Sequence, residues 1–549
     1  MFDIVFSSIL TVIFFTAVGA VFKKPEDVNF EYYSKLLIYG CIILSFISLL
    51  INFFSPLSKN LNSIIFFLSF FILFFKRKYF LKKEFFLFLI LSCFILLLLL
   101  FGSHTYRPDA GLYHLPYTNI LNEQKIIFGL SNLHYRFGHI SIIQYLSAIN
   151  NNLLYGINGI IFPSAIIACA VLINFSYRII KYIRINELNF HFFYLIGVFA
   201  YICFKMNRYG EFGNDAPTHF LTFFLISEIL NFRSKIKNDE FVLLLNLGVF
   251  IILNKITMFF VILLPFIFYE KINLKKIIKN LKTYFAICFG LLWLMKNILV
   301  SGCLIYPISF SCIESLEWTD IKKVKEVSLE NEAFTKSWPN YAKRFENSQS
   351  YFVSDFNWFK TWIKKQTNQK EILLPYIFFL ILIYGVIFFK SENLKIRIYK
   401  NYKILNLILI SAFFLWFIKI PTYRYGYSII ISLLSITFAN FCCKRKFLES
   451  VFLKNFFISI LIFLISIFLI KNSLRIINTD FYTNYPFPRY YSHKDDNIKS
   501  KNYSVKVING IKLYKENNGF CMYDKPLCSP YEINIRIEKY KGYMVFKNN

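Results

Sequence analysis

Three stretches bring carboxylates, cations and rings together just outside apolar runs. TYRPDAGLYHLPY (Thr105–Tyr117) carries Arg107, Asp109 and His114, KMNRYGEFGNDAP (Lys205–Pro217) carries Arg208 and Asp215, and KIPTYRYGYS (Lys419–Ser428) carries Tyr423 and Arg424. Arg136 in HYRFGH and Lys296 in WLMKNIL add two further cations. A carboxylate facing a hydroxyl can take its proton, and cations stabilise negative charge developing on a leaving group. The set therefore fits displacement of an anionic leaving group by an acceptor hydroxyl. Each residue also has a plainer reading. Asp109 ahead of AGLYHL suits a helix N-cap, Lys255 and Lys296 suit snorkelling to headgroups, and rings such as Tyr113, Tyr117 and Trp293 suit an aromatic belt.

Metal chemistry has less support. His104, His114, His134 and His139 fall in one segment, but their spacing contains no helical i,i+4 pair of the kind that ligates zinc. His114 is better placed to hydrogen-bond a phosphate. No glycine-rich phosphate loop occurs, which argues against a nucleotide as the direct substrate. No cofactor is expected.

The elements that must position these residues follow from composition. Of 549 residues, 56% are hydrophobic, 20% aromatic and only 17% charged, a balance unlike that of water-soluble domains and fitted to an integral membrane protein. Apolar runs near 4–22, 35–54, 61–75, 85–102, 157–177, 189–205, 216–232, 240–254, 257–270, 283–301, 372–389, 404–418, 427–443 and 455–470 predict about fourteen transmembrane helices. The first run lacks a small-residue cleavage site and reads as a retained span. The expected fold is an all-α polytopic membrane protein whose multi-span domain covers 1–471.

The net charge of +30 is not spread as a nucleic-acid footprint. Lysines and arginines cluster in alternate loops: Lys23 and Lys24; Lys76 to Lys83; Arg178, Lys181 and Arg184; Arg233 to Lys237; Lys271 to Lys282; Lys390 to Lys403; and Lys444 to Lys446. Short loops rich in cations stay cytoplasmic, so both termini and every chemically dense turn are predicted to lie outside. The charge then marks topology and contact with anionic lipid, and no nucleic-acid partner is implied.

Three outer parts follow. The first long loop, 103–156, reads as a helix lying along the membrane interface followed by a second amphipathic or re-entrant helix. The second, 302–371, contains an amphipathic helix over KKVKEVSLENEAFTKSW. The tail, 472–549, reads as a small α/β or β-rich unit with a hairpin turning at Asn509-Gly510. Four of the eleven cysteines, Cys303, Cys312, Cys521 and Cys528, fall in these parts. That even number suggests two disulfides in an oxidising compartment, Cys521 with Cys528 being the simplest pairing.

Many spans, an acid in the first outer loop, interface helices and an outer tail resemble the GT-C superfamily of glycosyltransferases, which use polyprenyl-phosphate sugars. DAGLYHLPYTNILNE, FGLSNLHYRFGHISIIQYLSA and WLMKNILVSGCLIYP more closely resemble a bacterial group of such proteins from envelope-polysaccharide contexts. The resemblance implies that Asp109 acts on the acceptor hydroxyl and that Asp215 orients the acceptor or sugar. Arg107, His114, Arg136, Arg208, Lys296, Tyr423 and Arg424 are then the substrate-binding candidates. Many superfamily members have two adjacent acids in the first loop, and here Asp109 stands alone. The implied partners are membrane lipid, a polyprenyl-phosphate sugar donor and a glycan or lipid acceptor at the outer face of the bacterial inner membrane. An O-antigen polymerase or ligase is the main rival. A lipid-linked sugar transporter is disfavoured because the span centres hold few ionisable groups.

Overall fold

The structure, a computed structural model, describes residues 2–22, 27–101, 109–206, 212–232, 236–337, 349–365, 367–393, 400–447, 450–478, 503–517 and 520–548. The main helices in chain order are α1 (Phe2–Gly19), α2 (Phe30–Asn52), α3 (Lys59–Phe75), α4 (Lys83–Leu100), α5 (Leu115–Glu123), α6 (Ile142–Ile149), α7 (Phe162–Arg184), α8 (Phe190–Lys205), α9 (Asp215–Asn231) and α10 (Asn238–Asn254). They continue with α11 (Leu281–Ser301), α12 (Ile321–Ser337), α13 (Thr367–Phe389), α14 (Lys400–Lys419), α15 (Tyr423–Cys442) and α16 (Ser450–Ile477).

The chain is a helical, multi-pass membrane protein by length and composition: among the described residues, nine helices are long and apolar enough to cross a bilayer. Four more of the predicted runs form the helices of 16 or 17 residues α3, α8, α9 and α10. The run at 257–270 differs, forming two 3-10 segments, Ile256–Leu263 and Pro265–Lys271. Pro265 accounts for the break, since it removes a backbone donor at the junction.

Burial ranks the helices. The stretch Ile157–Arg184 is 94% buried, whereas Glu371–Phe389 is 22% buried, so α7 is central and α13 peripheral. Phenylalanines 67, 71, 74 and 75 of α3 point outward, as residues facing lipid should. Side-chain caps fix where helices begin: Asn29, Ser58 and Asn189 accept backbone N–H groups three residues on. The tightest pair, α1 against α2, depends on two glycines. A Cβ on Gly40 would overlap the Phe15 carbonyl, and one on Gly19 would overlap that of Leu36, the small-residue contact that lets helices touch backbone to backbone.

Both polar ends of the bundle depart from the sequence reading. α5, expected along the interface, and α6, expected as an amphipathic or re-entrant helix, are buried almost throughout, because they pack on each other and α6 packs on α2, with the C-terminal tail bonding Asn122 and Asn151 beside them. In that tail β1 (Tyr503–Ile508) and β2 (Ile511–Glu516) pair antiparallel around Asn509-Gly510, and β3 (Cys528–Ser529) joins β2 in parallel. A second hairpin, β4 (Ile535–Tyr540) with β5 (Tyr543–Asn548), lies on the first loop through Phe128 N to Met544 O (2.9 Å) and Phe546 N to Phe128 O (2.8 Å). The tail begins later than 472, since α16 runs to Ile477. Cys303–Cys312 and Cys521–Cys528 are both bonded.

At the opposite end Arg178, expected as an exposed loop cation, is buried. Its Nη2 lies 2.5 Å from both Glu31 Oε1 and Glu228 Oε1, and Lys35 Nζ lies 2.8 Å from Glu31 and 2.9 Å from Glu228. Replacing Arg178 with Met leaves two buried carboxylates facing one lysine, a change expected to cost about 3–5 kcal/mol. A fall in the thermal midpoint of the detergent-purified protein checks this, and an unchanged midpoint refutes the buried pairing.

Candidate functional site

Four elements deliver charges to the end of the bundle opposite Arg178. Asp109 immediately precedes a π-helical turn, Ala110–His114, that leads into α5. Asp215 opens α9, Lys255 follows the last turn of α10, and Arg424 lies in the first turn of α15. The Arg424 guanidinium stands between the two carboxylates, with Nη2 3.7 Å from Asp109 Oδ2 and Nε 3.6 Å from Asp215 Oδ2. Lys255 Nζ pairs with Asp215 Oδ1. Tyr425 completes the group: its hydroxyl accepts from Arg424 Nη2 at 2.9 Å, and Lys255 Nζ stands 3.5 Å from its ring centroid.

The N-cap reading of Asp109 is not realised. Its own φ and ψ are already helical, and its side chain makes no capping bond. The carboxylate instead faces Arg424 and remains 37% exposed, against 17% for Asp215. Of the two acids, Asp109 is therefore the one an incoming hydroxyl can reach, while Asp215 is held by two cations.

His114 lies beside this group in a defined protonation state. Gln144 Nε2 donates to both His114 Nδ1 and the Phe212 carbonyl, each at 2.9 Å. Nδ1 therefore accepts, and the ring proton sits on Nε2. Burial pushes the imidazole down to about 4, with Asp109 and Asp215 opposing and Arg136 and Arg424 reinforcing the shift. Its Nε2 side looks toward Gly213, two residues before Asp215. Arg136 extends the cationic side: its guanidinium is 5.7 Å from the Tyr113 ring and 5.2 Å from that of Tyr135, and Nε donates to the Tyr135 hydroxyl at 3.2 Å. Among the described residues no carboxylate pairs with it.

Two predicted binding residues fall elsewhere. Lys296 does not snorkel; it is fully buried on α11, donating to Ile140 O at 3.3 Å with Nζ 5.0 Å from the Trp293 ring. It abuts the turn bearing Arg136 and His139, not the Asp109 group. Tyr423 stacks on Trp362 at 5.7 Å and meets Trp416 at 5.6 Å, so it packs α15 onto its neighbours. Arg107, Arg208 and His104 lie outside the described residues. A polar cleft between Glu314–Ile321 and Asn548 holds none of the predicted site residues.

Sequence reasoning missed three members. Lys255, which reads equally as a snorkelling lysine or an outer cation with a role, is not among the site candidates, and Gln144 carries no signal. His219 sits four residues after Asp215, on the same face of α9. Its Nε2 donates to the Arg424 carbonyl at 2.7 Å and its Nδ1 accepts from Ser428 Oγ at 3.0 Å. α9 thus grips Arg424 twice, by side chain through Asp215 and by backbone through His219. Among the described residues no cluster of three or more His, Cys, Asp or Glu residues could hold a metal ion.

A family model described as a domain of unknown function (DUF8201) matches residues 1–431, and the chain belongs to that family. No curated protein and no solved structure matches the chain.

A buried neutral histidine makes stability pH-dependent. The unfolded imidazole binds its proton near pH 6.5 and the folded one only near 4, so stability is full above 6.5 and is lost as pH falls between those values. The loss is about 3 kcal/mol at most for such a shift. In His114→Gln the fall in thermal midpoint between pH 6.5 and 4 should be shallower than in the wild type; an identical slope would mean that His114 is not buried neutral.

Proposed function

We propose that this member of the DUF8201 family is an integral membrane glycosyltransferase of the GT-C type, with about fourteen membrane-crossing segments, that transfers a sugar from a polyprenyl-phosphate donor to an envelope glycan or lipid acceptor. The single observation that carries the reading is the convergence of Asp109, Arg424, Asp215 and Lys255, drawn from four distant parts of the chain. Its setting is the bacterial inner membrane, with this end of the bundle and the C-terminus facing outward. The alternation of cationic loops and the two disulfides on this side support that orientation.

In the proposed reaction Asp109 takes the proton of the acceptor hydroxyl as its oxygen bonds to the anomeric carbon. The bond from that carbon to the phosphate oxygen breaks, and the polyprenyl phosphate leaves with the electron pair. Asp109, Asp215, Arg424 and Lys255 balance one another, two negative charges against two positive. The leaving phosphate is better served by Arg136, which has no carboxylate partner among the described residues, and by the His114 Nε2–H donor. Asp215 acts on the acceptor only through Arg424, which it holds in place. Aromatic rings lining the approach, Tyr113 and Tyr425, suit the faces of a sugar. Membrane lipid and a prenyl chain are the natural surroundings of such a site, and no cofactor enters the scheme.

An O-antigen polymerase or ligase is the second reading, favoured by the two arginines, Arg136 and Arg424, beside a single exposed acid.

Complementing a deletion strain with Asp109→Asn and analysing its envelope glycans and lipids by mass spectrometry separates the two. General-base catalysis is worth about 10²–10⁴-fold, so the transferase reading expects the transferred sugar to be lost at unchanged protein level. Full transfer by the variant removes Asp109 as the base and leaves the arginine-led alternative. Reporter fusions at Lys78 and Asp215 test the orientation, with a reporter active outside the cytoplasm expected to work only at Asp215.

A further inference from the structure

The segment from Phe520 to Ser529 lies beyond the residues shared with the family, yet it reaches the turn that carries Asp109. Met522 N donates to the Gly111 carbonyl at 2.9 Å, two residues from the carboxylate. Gly111 is needed for that approach, because a Cβ there would overlap Met522 Sδ and crowd Phe520 Cβ at 2.9 Å. One residue on, the Tyr523 hydroxyl donates to Asn122 Oδ1 at 2.9 Å and accepts from Asn151 Nδ2 at 3.0 Å. Asn122 in turn donates to the carbonyls of Leu57 and Ala148 at 2.6 and 2.9 Å. Met522 and Tyr523 thus tie the start of α5 to its end and to the residues just after α6.

The loop that presents them is itself constrained. Cys521 and Cys528 are both fully buried and bonded to each other, and Cys528 is pinned in β3 against Tyr514. Met522 has a left-handed backbone, φ 55°, a conformation that a non-glycine residue keeps only where its surroundings enforce it. The bond at Cys521 and the amide contact with Gly111 supply that enforcement from the two sides.

We propose that the Cys521–Cys528 loop is a positioning element for the Asp109 turn, holding the π-helical residues 110–114 so that the carboxylate meets Arg424. This rests on the reading of Asp109 as the base. The loop touches no substrate in this scheme and acts only through the backbone of the first outer loop. A tail outside the family region thereby becomes a requirement for activity in this chain.

Hydrogen exchange of the full-length protein in nanodiscs tests the contact, comparing wild type with C521S/C528S and with Tyr523→Phe, which keeps the disulfide. Both variants should speed exchange of residues 110–123 by about tenfold or more, leaving α7 unchanged. Unchanged exchange at 110–123 in either variant, or equal acceleration in α7, overturns the proposal. In transfer assays the cysteine variant should lower kcat with donor KM unmoved and add nothing in an Asp109→Asn background; additive losses also overturn it. If exchange behaves as expected but the wild type transfers no sugar, the transferase reading fails and the structural contact stands.

Discussion

Arg424, from the second half of the chain, is shared by two carboxylates from the first half, and the geometry of that end of the bundle depends on this sharing. A guanidinium buried at the rim of a membrane protein is costly unless paired, and Asp109 and Asp215 pair it from two sides. Asp215 reaches Arg424 because α9 lies against α15, and contacts from α8, α13 and α9 hold α15 in place. Gly197 of α8 has no Cβ to push Ser435 of α15 away, Tyr376 and Tyr194 hydrogen-bond Ser435 and Ser432, and His219 fastens the first turn of α15 to α9. Moving α9 or α15 alone would separate Asp215 from Arg424.

α9 joins two ionic groups of different character. Asp215 at its start and Glu228 near its end are separated by about 20 Å at the usual helical rise. The far group, Glu31, Lys35, Arg178 and Glu228, is closed: each charge meets an opposite charge within 3 Å, and all lie under helices. The near group is looser, with Arg424 contacts of 3.6 and 3.7 Å and a partly exposed Asp109. A closed network favours one rigid arrangement. A loosely paired acid beside half-buried rings leaves room for a polar ligand to enter, which is why the proposed chemistry is assigned to this end and structural pairing to the other.

Much of the scaffold was legible because it rests on local rules. Apolar run length located the helices, the Asn-Gly dipeptide located the β1–β2 turn, and the even count of cysteines in outer segments located both disulfides. The loci of Asp109, Asp215 and Arg424 were legible because charges beside apolar runs stand out. Their contacts were not, since pairing across more than two hundred residues leaves no trace in spacing. Arg178 misled for a related reason: beside Lys181 and Arg184 it reads as a loop cation, and only the distant Glu31 and Glu228 reveal it as a buried one. Lys296 misled likewise, because burial against Ile140 depends on how the first loop folds back onto α11. The 3-10 segments at 256–271 show the limit of run length itself, which counts apolar residues without seeing that Pro265 interrupts their hydrogen bonds.

Charge balance gives the near group its chemical direction. With two acids and two cations it is neutral overall, so a bound phosphate cannot be neutralised there without displacing a carboxylate from Arg424 or Lys255. Arg136 lies in the 3-10 turn that carries His139 and Lys296 abuts that turn, and neither has an acidic partner among the described residues. Burial, reinforced by Arg136 and Lys296, holds the His139 imidazole down to about 3, so His139 adds no positive charge to this side and Arg136 carries it. An anionic group entering from the Asp109 side would meet acids first and the Arg136 guanidinium behind them. That order suits the proposed transfer, in which a neutral acceptor hydroxyl meets the carboxylate while the donor phosphate is drawn past it toward Arg136.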